Sequence, residues 1–203
     1  MTSAPSLRPD LELVAAQIPD GSRVLDLGCG SGDLLAHLIA DRGCTGTGVE
    51  IDPDAVLAAL RRGVPLIDRR IEESIAYIAA GSYDTVVLSR TLQTMLAPEF
   101  VLRHMARIAP RLIVSMPNFG YYRNRGRLLR GRMPVSKEIP YAWYDTPNLR
   151  FTTLADLEDL FDRLDLRVER RYTYAQQGQQ LRMYGRMANL LAAAAVYVLR
   201  PSG

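Results

Sequence analysis

The chain has 203 residues, of which 48% are hydrophobic and 23% charged, so it can bury one sizeable core. We therefore expect a single domain over residues 1–203, with no room for a second full one. The net charge is only +3 with both signs interspersed, and two cysteines are too few for a disulfide framework, so we expect no nucleic-acid partner, no membrane partner and no disulfide scaffold.

Apolar periodicity predicts helices and strands that alternate along most of the chain. In chain order they are helix 11–18, strand 24–27, helix 34–40, strand 46–49, helix 54–62, strand 64–67, strand 84–88, helix 101–108, strand 112–115, helix 156–164, strand 166–172 and strand 196–199. Such alternation is typical of a parallel sheet covered by helices. The sequence shows no signal peptide, and its apolar run at 190–199 is too short to span a bilayer, so we expect a cytoplasmic protein.

A glycine-rich turn follows the first predicted strand. Gly28, Gly30 and Gly32 permit a tight turn whose bare backbone can approach a ligand, and Cys29 lies within it. The spacing Gly-x-Gly-x-Gly differs from a dinucleotide fingerprint, whose third glycine would stand at position 33. We therefore expect a nucleoside-like cofactor at this turn.

An acid, Glu50, closes the next predicted strand. Ligands of α/β folds bind at the carboxyl ends of the strands, and a carboxylate there suits a ribose diol. Each feature alone also fits a purely structural interpretation, since a glycine turn can serve only strand–helix packing and Glu50 can be a solvated strand end. The two features in this order favour cofactor binding.

Other chemistries lack the residues that they need. The two histidines, His37 and His104, lie far apart in the sequence, so no metal site is expected. There is no Gly-x-Ser-x-Gly elbow, and neither cysteine has a plausible nearby base, which argues against acyl transfer through a covalent intermediate on this chain.

Residues 26–32 read Asp-Leu-Gly-Cys-Gly-Ser-Gly, and together with Glu50 they resemble the Rossmann-like methyltransferases over about residues 22–115. The resemblance implies an α/β fold of three layers, with a mostly parallel seven-stranded sheet and helices on both faces. It also implies S-adenosylmethionine or S-adenosylhomocysteine as the cofactor.

In that superfamily the glycine loop lies beside the amino-acid end of the cofactor, and the second acid holds the ribose. The resemblance places Ile51 against the adenine and Ser89 on the rim of the cleft, whereas Arg70 stands where an acid often reads the adenine edge. The cofactor contacts that it implies are Asp26, Gly28, Cys29, Gly30, Gly32, Glu50, Ile51, Ile71 and Ser89.

Residues 116–150 form an insert that is too long for an ordinary connection and is rich in aromatic, proline and arginine residues. Arg123, Arg127 and Arg130 stand at helical spacing, which favours a solvated helix face or a protein interface over a nucleic-acid site. Tyr, Trp and Arg side chains suit a binding surface or a lid.

Three segments of the insert resemble the MetW family of methionine biosynthesis proteins. They are Pro-Asn-Phe-Gly-Tyr from Pro117, Gly-Arg-Met-Pro-Val-Ser from Gly131, and Pro-Tyr-x-Trp-Tyr-x-Thr-Pro-Asn from Pro140. Arg150 departs from the family pattern, which has His there, so no role of that histidine is carried over.

This resemblance implies an S-adenosylmethionine-binding accessory protein that associates with homoserine O-acyltransferase and activates it. The aromatic and arginine insert is our candidate for the interface. The alternative is an active methyltransferase acting on an unknown small molecule. Its general bases would come from Tyr121, Tyr141, Tyr144 or Asp145, none of which stands at a diagnostic spacing, so no catalytic residue is assigned.

Overall fold

The computed structural model describes residues 7–176, 179–181, 183 and 185–202. Its helices are α1 (Pro9–Ala15), α2 (Asp33–Arg42), α3 (Pro53–Arg61), α4 (Ile71–Ser74), α5 (Pro98–Ile108), α6 (Tyr122–Leu129), α7 (Leu154–Arg163) and α8 (Gly185–Leu191). Its strands are β1 (Arg23–Leu27), β2 (Thr45–Glu50), β3 (Leu66–Asp68), β4 (Thr85–Ser89), β5 (Arg111–Pro117), β6 (Leu166–Tyr174), β7 (Gln180–Leu181) and β8 (Ala194–Pro201).

The strands form one mostly parallel sheet in the order β3-β2-β1-β4-β5-β8-β6-β7, which confirms the predicted Rossmann-like α/β class. Within the residues that the structure describes, the sheet has eight strands instead of the expected seven. The additional strand, β7, has only two residues and pairs antiparallel with the end of β6, so it carries no apolar alternation that a sequence pattern could show.

The chain packs as two compact units, each with its own interior. The first comprises the chain up to Ser89 together with Glu99–Ile113, and the second comprises Arg90–Pro98 and the chain from Val114 onward. That residues 1–203 act as a single domain stays a prediction. Within the described residues, no helix is both long enough and apolar enough to cross a membrane.

The first unit is built around β1, which runs parallel to β2 and β4. Val24, Leu25 and Leu27 of β1 are fully buried, as expected of a strand covered on both faces. In β2, glycine allows a close approach of α2, since a Cβ added at Gly46 would lie 2.6 Å from the side chain of Leu35. The absence of a side chain at Gly46 therefore allows α2, which follows the glycine loop, to pack closely on β2.

The second unit is built around β6 and β8, which pair antiparallel with a register irregularity between Val168 and Arg170. Helix α7 begins with a capping box at Thr153 and packs on β6. Its buried Phe161 meets Tyr197 of β8 edge-on, with ring centroids 5.3 Å apart.

The insert holds helix α6, which matches the predicted helical spacing of its arginines. Beyond α6, residues 130–153, all of which the structure describes, form turns without a further helix or strand. Asn118, 1% exposed, precedes α6 and donates to the carbonyls of Asn189 (2.8 Å) and Ala192 (2.7 Å). Its Oδ1 accepts the N–H of Gly120 at 2.9 Å, so the polar side-chain atoms of Asn118 have hydrogen-bond partners within the protein.

Most predicted elements are confirmed, with shifts at their ends. The helix expected at 11–18 ends at Ala15. Beyond it, the N–H groups of Gln17 and Ile18 donate to carbonyls three residues earlier, which is the pattern of turns and not of an α-helix. Strand β3 begins at Leu66 instead of position 64, because Pro65 has no N–H to donate to a ladder. Helices α4 and α8 were not predicted, since both are too short to show a period.

Candidate cofactor site

The glycine loop joins β1 to α2, and all three of its glycines need the left-handed region. The φ angles are 74° at Gly28, 55° at Gly30 and 75° at Gly32, which any residue with a Cβ adopts only at a cost. The N–H groups of Gly28 and Cys29 donate to the carbonyl of Val49 at 2.7 and 3.2 Å. The loop is therefore fixed against the end of β2.

The glycines of this region differ in what a Cβ at each position would contact. A Cβ at Gly32 would lie 3.0 Å from the Cβ of Ala59, so that glycine serves packing. A Cβ at Gly48 would lie too close to the sulfur of Cys29, which shows that this thiol faces β2. A Cβ at Gly30 would meet nothing within 4 Å, so the loop there borders open space.

Glu50 links the glycine loop to the turn that follows β2. Its Oε2 accepts the N–H of Gly30 at 2.8 Å, and its Oε1 accepts the N–H groups of Ile51 at 2.8 Å and Asp52 at 3.0 Å. A carboxylate offers about four acceptor positions, so capacity remains for a ligand hydroxyl. The sequence suggested either a ribose ligand or a solvated strand end, and neither interpretation foresaw this bracing role.

Burial strongly perturbs two titratable groups of the site. Asp26 is 3% exposed, and desolvation, followed by the charge of Glu50, raises its pKa to about 7. Burial and then the charges of Asp26 and Glu50 raise the pKa of Cys29 to about 12, so its thiol stays protonated at neutral pH and is a poor nucleophile.

A third acid, Asp68, stands opposite Glu50 in the register of β3 and β2 and is exposed. The prediction from sequence missed it, although it closes the apolar run at 64–67 as Glu50 closes that of β2. Asp26, Glu50 and Asp68 all stand near the carboxyl ends of neighbouring strands, so this edge of the first unit is acidic. An acidic edge suits a cationic ligand.

The structure brings together Asp26, the glycine loop with Cys29, and Glu50. Ile51 follows Glu50 directly and is 52% exposed, so its side chain is free to pack on a planar ligand. Ser89 ends β4 two positions beyond Val87, the partner of Asp26 in β1, and so lies at the same edge. Ile71 opens α4 but is only 6% exposed, so it offers little surface to a ligand. These contacts stay predictions.

The suggested general bases lie in the second unit. Tyr141, Tyr144 and Asp145 are exposed, whereas Tyr121 is buried and pairs edge-on with Tyr122. Within the described residues, no three His, Cys, Asp or Glu side chains are grouped as metal ligands. The geometry therefore assigns no catalytic residue.

Comparison with known sequences supports one family. Residues 8–199 match the family model of the methionine biosynthesis protein MetW. A bifunctional methionine biosynthesis protein MetXA/MetW of Rhodopirellula baltica is 35% identical over 188 residues, which cover 87% of this chain and 30% of that protein. A ubiquinone biosynthesis O-methyltransferase of Xanthomonas axonopodis is 36% identical over 105 residues, 48% of this chain and 43% of that enzyme. The chain thus spans less than half the length of these two relatives.

Comparison with solved structures supports the fold. A SAM-dependent methyltransferase from Thermotoga maritima superposes with a TM-score of 0.67 at 19% identity, over 96% of this chain and 88% of that one. This likeness shows that the chain has a methyltransferase-like fold. Since the family model spans nearly the whole chain and takes in both the glycine loop and the insert, the chain belongs to the methionine biosynthesis protein MetW family.

Proposed function

We propose that this chain is an S-adenosylmethionine-binding accessory protein of methionine biosynthesis, which associates with homoserine O-acyltransferase and raises its activity. The observation that carries the proposal is the Rhodopirellula baltica relative, whose name joins MetXA and MetW in one chain, and we take MetXA to be the homoserine O-acyltransferase. Two proteins that are fused into one chain in one organism are expected to act together. Where they occur as separate chains, they are expected to bind each other. The place of action that we propose is the cytoplasm.

The proposed cofactor is S-adenosylmethionine or S-adenosylhomocysteine, held by the residues of the first unit. Glu50 would accept hydrogen bonds from ribose hydroxyls, Ile51 would pack on the adenine, and Gly30 borders the open space beside the loop. Asp26 and Glu50 would favour the cationic sulfonium ligand by charge. When bound, S-adenosylmethionine would supply an electrophilic methyl group.

This site can be tested with Glu50→Gln, which keeps the shape of the side chain but removes its charge. We expect the variant to bind S-adenosylmethionine at least ~10-fold more weakly by titration calorimetry, because a charge-assisted hydrogen bond is lost. The matched control is Glu73→Gln, an exposed acid in α4, whose affinity should match that of the unchanged protein. Equal affinity in Glu50→Gln would remove Glu50 from the site.

We further propose that the bound cofactor reports the output of the pathway, because S-adenosylmethionine is made from methionine. Such feedback requires different cofactor affinities in the free protein and in its complex with the acyltransferase, since coupling between two sites is reciprocal. The affinity should therefore be measured with and without saturating acyltransferase. Equal values would eliminate the feedback.

The second candidate function is methyl transfer to a small molecule. It is favoured by the similarity of about half of the chain to the ubiquinone biosynthesis O-methyltransferase. Methyl transfer depends mainly on proximity and orientation, so the lack of an assigned base in this chain does not contradict it. Its test is the formation of S-adenosylhomocysteine when S-adenosylmethionine is incubated with the protein and extracts of small metabolites.

A further inference from the structure

The second unit exposes large apolar side chains along its insert. Leu129 at the end of α6 is 89% exposed, Trp143 is 71% exposed and Tyr144 is 77% exposed. Met133 and Val135, which lie between them in sequence, are also exposed. Single exposed apolar residues are ordinary, but several within so short a stretch of chain, including a tryptophan, favour an interaction surface.

The segment that carries the aromatic pair is anchored on one side by backbone hydrogen bonds and on the other by an ion pair. The N–H groups of Leu149 and Arg150 both donate to the carbonyl of Gln93 at 2.9 Å, and Glu138 forms an ion pair with Arg90 at 2.9 Å. Between these anchors, the rings of Trp143 and Tyr144 meet edge-on with centroids 5.6 Å apart. A braced loop loses little entropy when its side chains are covered.

The same segment carries excess positive charge. Residues 116–150 contain seven Lys and Arg against two Asp and Glu, whereas the whole chain has a net charge of only +3. The guanidinium groups of Arg125, Arg127 and Arg130 donate to the carbonyls of Gly120, Met133 and Gly126. Bonds to carbonyls leave their charge uncompensated, so an acidic partner surface would complement it.

We propose that the insert surface, defined as the exposed apolar side chains Leu129, Met133, Val135, Trp143 and Tyr144 together with Arg125, Arg127 and Arg130, docks onto homoserine O-acyltransferase. The inference rests on the proposed function and adds the place and chemistry of the contact. Trp143 and Tyr144 are the anchors, since Trp, Tyr and Arg dominate binding energy at interfaces. The proposed docking requires a face of the acyltransferase that is apolar at its centre and acidic at its rim.

The test measures the dissociation constant of the 203-residue chain and purified acyltransferase by interferometry. We expect Trp143→Ala/Tyr144→Ala to raise the constant at least ~30-fold. The matched control is Tyr77→Ala, since Tyr77 is 89% exposed in the first unit and should leave the constant unchanged. Arg127→Glu/Arg130→Glu should weaken binding, and binding to the unchanged protein should weaken as salt rises to about 0.3 M. Thermal unfolding of each variant shows whether it is folded.

The outcomes separate the docking surface from the proposed function. If the unchanged protein binds the acyltransferase and the aromatic double variant binds equally well, the docking surface is refuted while the accessory function stands. If the unchanged protein does not bind the acyltransferase, the accessory function fails and the docking proposal fails with it. If the double variant instead disperses a dimer of this chain and leaves acyltransferase binding intact, the surface serves a second copy and the proposal is overturned.

Discussion

Asp26→Asn tests whether the buried carboxyl of β1 opposes folding at neutral pH. Burial and the charge of Glu50 raise the pKa of Asp26 from 3.8 to about 7. Between these values the folded protein holds a proton that the unfolded chain has released, so the free energy of unfolding falls as the pH rises from about 4 to about 7. At about 1.4 kcal/mol per pH unit the loss is ~4 kcal/mol. An amide has no charge, so the variant escapes this loss.

The assay is urea unfolding of both proteins at a series of pH values from about 4 to about 8. The stability of Asp26→Asn relative to the unchanged protein should rise by ~4 kcal/mol over this range. Asp84→Asn is the control of opposite sign, because hydrogen bonds from Arg23 lower the pKa of Asp84. Asp84 therefore contributes stability that is present at neutral pH and is lost as the pH falls through its lowered pKa. A difference between Asp26→Asn and the unchanged protein that does not vary with pH would refute the reasoning.

Three further predictions concern the affinity for the cofactor, the packing of Gly32 and the hydrogen bonds of Asn118. Binding of cationic S-adenosylmethionine favours the ionised form of Asp26, so the affinity of the protein for S-adenosylmethionine should fall as the pH drops below about 7. Calorimetry in two buffers should detect proton release on binding, and Asp26→Asn should abolish that release. Gly32→Ala should destabilise the protein by about 2 kcal/mol or more, and by more than Gly30→Ala does. Both variants strain a positive φ, but only Gly32→Ala also adds a close contact with Ala59. Equal unfolding midpoints of the two variants in urea would contradict this. Asn118→Ala should cost about 3 kcal/mol, because it leaves buried carbonyls and the N–H of Gly120 without their partner, and an unchanged thermal midpoint would show that the contacts are not stabilising.

Local patterns were sufficient to place β1, the glycine loop and β2, because each is signalled by residues that are adjacent in sequence. A buried parallel strand reads as a continuous apolar run, and the positive φ angles of the loop demand glycine. The alternation of strands with helices then restricts the topology to a few choices. The parallel, helix-covered sheet therefore followed from short-range information, whereas the Rossmann-like methyltransferase arrangement came from the resemblance carried by residues 26–32 and Glu50.

The remaining features depend on contacts between distant residues, which a sequence pattern does not show. The carboxylate of Glu50 binds the N–H of Gly30, twenty positions away, so its bracing role appears only when β1 and β2 are adjacent. Asn118 bonds to carbonyls more than seventy positions away, and its segment is distinctive in sequence although its observed bonds are structural. Strand β7 exists only through its pairing with β6.

The most direct test of the accessory function is the rate of purified homoserine O-acyltransferase with and without this protein, in the presence and absence of S-adenosylmethionine, while S-adenosylhomocysteine is monitored. The account predicts faster acylation of homoserine when the protein is added, a rate that responds to S-adenosylmethionine, and no S-adenosylhomocysteine. An unchanged acylation rate at concentrations that saturate binding would contradict it, and accumulation of S-adenosylhomocysteine would favour the methyltransferase instead.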